Sequence, residues 1–129
     1  MRQNKKYFLK IMKIELEDLK EDLIMMIKCC EERKAKGELT DHVYLANNAL
    51  FQNELVGIND FVLILNNIDI EIFQDLDTLI ASLKSQFKEQ IKRLGLAEAV
   101  NVCIQRKMEK VKQYVTKPSI LIEERPVIA

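Results

Sequence analysis

Apolar side chains recur along this chain at the three- and four-residue spacing of helices, in four blocks separated by polar breaks. In the first block Leu9, Met12, Leu16, Leu19, Leu23, Met26 and Cys30 keep that spacing unbroken, which is the pattern of a knobs-into-holes seam. The block runs from about Asn4 to Lys36, and Gly37 supplies its stop. Tyr7, Ile11, Ile14, Met25 and Cys29 form a second row on the same helix, interrupted by Asp18, Glu21 and Asp22. The row reads either as a wide core face with scattered exposed apolar residues or, at its two ends, as a contact with another chain.

The second block, Asp41 to Asn67, is the most apolar, with Thr40 or Asp41 as its cap. On a helical wheel one wide arc holds Val43, Leu50, Phe51, Leu55, Ile58, Phe61, Val62, Ile64 and Leu65, and reads as core. Asn47 and Glu54 sit in the middle of that arc. The opposite face carries polar pairs every seven residues: Gln52–Asn53, Asn59–Asp60 and Asn66–Asn67. Between them runs a thin apolar seam of Ala49, Val56 and Leu63. Solvated helix faces usually carry Glu and Lys, and this one carries almost neither. The seam is therefore expected to meet a partner chain or the C-terminal tail. Gly57 stands inside the helix on the apolar arc, at a cost of up to about 1 kcal/mol relative to Ala, so a neighbouring helix is expected to approach it closely.

Asn66, Asn67 and Asp69 break the chain again, with Asp69 the expected cap of a third helix. Its core stripe reads Ile72, Phe73, Leu76, Leu79, Ile80, Leu83, Phe87, Ile91 and Leu94, and Gly95 ends it. A fourth helix starts near Ala97, turns Val100, Ile104, Met108, Val111 and Val115 inward with Cys103 and Tyr114 at its edge, and stops at Pro118. Residues 119–129 are apolar but too short and Pro-broken for a helix, and are expected to lie extended. Short connections imply antiparallel neighbours. The expected fold is all-α, an antiparallel up-down-up-down four-helix bundle over residues 1–118 with an extended C-terminal tail.

Composition agrees: 129 residues with three Gly and two Pro suit one ordered helical domain. Twenty basic and twenty acidic side chains leave no net charge and no general attraction to nucleic acid or anionic lipid. The charges are nevertheless segregated, with no Lys or Arg between Gly37 and Leu83. The first and fourth helices carry Lys6, Lys10, Lys13, Arg106 and Lys110, an edge that could meet an acidic partner or a phosphate backbone. Much of the segregation is also what complementary neighbours and helix dipoles require. Cys29, Cys30 and Cys103 have no metal spacing and read as reduced thiols of a cytoplasmic protein. The longest apolar runs are five residues, Leu23–Ile27 and Phe61–Leu65, so no membrane span is expected.

Candidate chemistry is sparse. A di-metal carboxylate bundle needs Glu-x-x-His on two helices, and the only histidine is His42. The three glycines are scattered, which leaves no phosphate loop. No metal, no cofactor and no catalytic residue are expected. Glu54, a carboxylate on an apolar arc, either reaches the surface at the edge of the helix or needs a partner; Lys107 on the edge of the fourth helix and Asn47 on the same face are the candidates. In size and architecture alone, on no shared motif, the plan resembles small bacterial helical adaptors and export chaperones. The expected function is a non-catalytic, adaptor- or chaperone-like protein interaction module, homodimeric, with its contacts drawn from Tyr7, Ile11, Ile14, Met25, Ala49, Gln52, Val56, Asn59 and Leu63. Nucleic-acid or acidic-partner binding through the basic edge is the second expectation, and an enzyme or small-ligand site centred on Glu54 the third.

Overall fold

The computed structural model describes residues 2–117, with side chains described from Asn4 onward, so the expected tail lies outside the described residues. Four helices follow in order: α1 Arg2–Ala35, α2 Asp41–Asn67, α3 Leu76–Leu94 and α4 Glu98–Thr116. Each boundary has a local cause. Thr40 Oγ1 accepts from the Val43 N–H at 3.2 Å and starts α2. Gly37 and Gly95 adopt left-handed conformations after α1 and α3. The amides of Glu38 and Leu96, the residues that follow them, reach back to the carbonyls of Arg33 and Ile91. Both glycines thus close a helix in the Schellman manner.

Contacts between helices run end to start. The Lys34 ammonium at the end of α1 lies 4.7 Å from the Tyr44 ring centre and 3.8 Å from Asp41, at the start of α2. Lys112, late in α4, meets Asp77, early in α3, at 2.9 Å. Lys107 of α4 meets Glu15 of α1 at 3.1 Å. The four helices pack together as a bundle, and the pairing of late residues of one helix with early residues of another fits antiparallel neighbours. Phe8, Met12, Leu16 and Leu23 of α1 pack with Ile58, Phe61 and Leu65 of α2, with six apolar residues of α3 and with Val100, Ile104, Met108, Val111 and Val115 of α4. Each such buried side chain contributes about 1.5–3 kcal/mol. Phe61 and Phe87 meet edge to face, centroids 5.0 Å apart.

The helices are unequal, and this corrects the expected core. At about 1.5 Å per residue, α3 and α4 are only about 28 Å long, against about 50 Å for α1. The Ala97 N–H donates to Asn53 Oδ1 at 3.0 Å, which sets the start of α4 beside the middle of α2. Beyond that level, among the described residues, only α1 and α2 continue, as a two-helix arm. No residue of α1 after Leu23 and none of α2 before Gly57 is buried. Met26, expected in the core seam, is 47% exposed, and Cys30 is half-buried. Val43 and Leu50, expected in the core arc of α2, are likewise exposed. Their faces are those that pack on α3 and α4 lower down; in the arm no third helix among the described residues covers them.

The third helix also starts later than expected. Asp69 caps only a short 3₁₀ turn, Ile70–Ile72, by accepting from the Glu71 N–H at 3.0 Å. Asp75 is the cap of α3, in a reciprocal box with Thr78. Ile72, expected in the core stripe, is 73% exposed. The reason is Lys5. Its side chain is buried, and its ammonium donates to the carbonyl of Ile70 at 2.9 Å and to that of Phe73. Those carbonyls are thereby turned toward α1 instead of along a helix. Gly57 behaves as expected. It is buried, and a Cβ placed there would overlap Val100 Cγ1 and lie 3.5 Å from Leu96 Cδ1.

Candidate interaction surface

The polar pairs of α2 divide their labour. The second member of each pair is engaged inside the chain. Asn53 accepts from Ala97, Asp60 Oδ1 accepts from Gln90 Nε2 at 2.9 Å, and Asn67 Nδ2 donates to the Leu63 carbonyl at 2.8 Å. The first members, Gln52, Asn59 and Asn66, are exposed and make no side-chain hydrogen bond among the described residues. These three lie on the same outward face as Ala49, Val56 and Leu63, all of them exposed.

Sequence reasoning missed a further member. Leu45 is 63% exposed and stands four residues before Ala49. Extending the spacing one step would have found it. With it the seam reads Leu45, Ala49, Gln52, Val56, Asn59, Leu63, Asn66, alternating four and three residues over about 32 Å. No position on it is charged. Beside its lower end lies a groove between α2 and α3, lined by Leu63, Asn67, Ile72, Gln86 and Asp60 among others. Asp60 Oδ2 is buried there without a hydrogen-bond partner among the described residues, which costs about 1–3 kcal/mol.

The second row of α1 is not brought to this seam. Tyr7, Ile14 and Met25 are exposed, but Ile11 is half-buried in a groove with Glu15, Lys110, Val111 and Tyr114, on the α4 side of α1. The row and the seam are two separate surfaces.

The basic residues diverge as well. Lys6, Lys10 and Lys13 are exposed, as are Arg106 and Lys110. Ile11 and Glu15 are the α1 residues that face α4, and Lys13 is about 200° around the helix from each. The two clusters therefore do not merge into one edge. Lys107 is engaged with Glu15, not with Glu54. Glu54 and Asn47 are half-buried. Burial, followed by the charge of Glu54, raises the pKa of the Cys103 thiol above its ordinary value, which favours the protonated form. Asn101, another residue the sequence reading did not single out, is buried. Its Nδ2 donates to Glu98 Oε1 at 2.9 Å and its Oδ1 accepts from Gln105. The polar residues one turn away on either side were the available signal.

All three cysteines are free, with Cys29 exposed. No helix among the described residues is long and apolar enough to cross a membrane. No protein-family model, no curated protein and no solved structure matches this chain.

Proposed function

We propose that this protein is a non-catalytic helical interaction module, adaptor- or chaperone-like, that docks a protein partner on the outer seam of α2. The observation that carries the reading is the division of the polar pairs. Asn53 and Asp60 bond across to Ala97 and Gln90 and Asn67 turns back onto its own helix, while Gln52, Asn59 and Asn66 stand outward beside an apolar stripe. An exposed helix face with apolar residues at alternating three- and four-residue spacing is the surface a second helix packs against. Three free thiols suit a reducing compartment such as the cytoplasm.

The test is an affinity pull-down from the native cell with the wild-type chain and with Val56→Lys as baits, both shown helical by circular dichroism. The wild type retains partners that Val56→Lys loses. Identical retention by the two baits contradicts the reading. The second reading, an acidic or phosphate-bearing partner, rests on Arg106 and Lys110, which line a shallow groove on α4 with Ala99, Val102 and Cys103. Binding of that kind weakens steeply between about 50 and 200 mM salt, whereas the seam's does not.

A further inference from the structure

We infer that the occupant of the α2 seam is a second copy of this chain, with the two α2 helices side by side, parallel and in register. The inference rests on the docking reading above and adds the identity and direction of the partner.

The seam is suited to its own image. Its polar members are amides, and an amide side chain carries donors and an acceptor together, so it can bond to an identical group. A seam of Lys or Glu would repel its copy; this one holds no charge from Leu45 to Asn66. The four-three spacing is what two supercoiled helices need for knobs-into-holes packing. A polar amide within such a seam fixes register, and here three recur at seven-residue intervals.

Direction follows from which side chains meet. In a parallel, in-register pair each residue faces its counterpart. Leu45, Ala49, Val56 and Leu63 form apolar layers, and Gln52, Asn59 and Asn66 form amide layers. The usual antiparallel layering would set Ala49 against Asn59 and Val56 against Gln52, leaving amides facing apolar side chains without a partner. Parallel pairing about one two-fold axis is also a closed contact, which stops at a dimer.

Sedimentation of the full chain tests the inference. At ~100 μM the wild type is expected at twice the chain mass, and Val56→Lys at the mass of one chain with unchanged helicity. If Val56→Lys loses helicity, Gln52→Lys reads the same seam from an adjacent exposed position. Met25→Lys, on the separate row of α1, leaves the dimer intact. Leu45→Lys and Leu45→Glu are each monomeric alone and pair when mixed, because position 45 meets itself. Pairing of Leu45→Lys with Leu63→Glu instead overturns the parallel direction. A wild-type monomer at ~100 μM overturns the inference; seam-dependent partners in the pull-down would then assign the seam to a different protein. A dimer that survives Val56→Lys but is lost in Leu121→Lys overturns it in favour of the tail. A dimer indifferent to every seam substitution, with no seam-dependent partner in the pull-down, overturns both readings.

Discussion

Replacing Gly57 by Ala sets two effects of known sign against each other. In a helix interior Ala is favoured over Gly by about 1 kcal/mol. Against this, the new Cβ overlaps Val100 Cγ1 at a site where both residues are buried. Val100 cannot easily turn aside, because a β-branched side chain in a helix is held to one χ1 rotamer. Overpacking of this kind costs about 1–3 kcal/mol. The overlap prevails, and Gly57→Ala is expected to destabilise the protein by about 1 kcal/mol net, a few degrees in Tm. Val100→Ala removes the obstructing methyls. In that background the same Gly57→Ala change is expected to stabilise by about 0.5–1 kcal/mol, giving a coupling of about 2 kcal/mol. Urea titrations followed by circular dichroism, at one fixed protein concentration, measure all four corners of the cycle. If Gly57→Ala stabilises the wild type, or has the same effect in both backgrounds, close approach is not why Gly57 is a glycine.

Two further outcomes follow from polar groups of the bundle. Lys5→Met leaves the carbonyls of Ile70 and Phe73 without their donor and is expected to cost about 2–4 kcal/mol in the same titration. A loss below about 0.5 kcal/mol would contradict the role given to Lys5. Asp75 accepts from the backbone N–H of Thr78 at 2.9 Å and from its hydroxyl, and these bonds lower its pKa below the ordinary carboxylate value. Its folded pKa thus lies below its unfolded one, so the stabilisation is present above about pH 4 and fades as pH falls through the folded value. The stability difference between wild type and Asp75→Asn should therefore shrink on acidification from about pH 6 to about pH 3. A pH-independent difference would refute that account.

Much of the bundle was legible because its signals are local. Thr40 as cap, the break after Asn67, Gly37 and Gly95 as stops, and the inward stripe of α4 all follow from spacing and turn chemistry. The seam of α2 was legible too, because an outward face without charge is unusual. What was missed depends on the third dimension. A stripe looks the same whether or not a third helix covers it, so Val43, Leu50 and Met26 read as core. Their exposure follows from the shortness of α3 and α4, which is a property of other parts of the chain. Lys5 reads as one more basic residue near a terminus; only its distance in space from Ile70 and Phe73 turns it into a structural clamp. Phe8 is fully buried, four residues before Met12, and widening the first seam by one position would have included it.

The two-helix arm also bears on the order in which the chain can assemble. Its tip is held by partners close in sequence, as in the Arg33–Glu38 pair, five residues apart. The body of the bundle is held by partners far apart, 65 residues for Lys5 with Ile70 and 92 for Lys107 with Glu15. Closing a longer loop takes more chain entropy and more time. The α1–α2 turn can therefore close as soon as its residues leave the ribosome, whereas Lys5 must wait for Phe73 and Glu15 for Lys107. The arm, the least buried part of the described bundle, is the part the chain can close first, and the polar partners lower in the bundle are the last to meet.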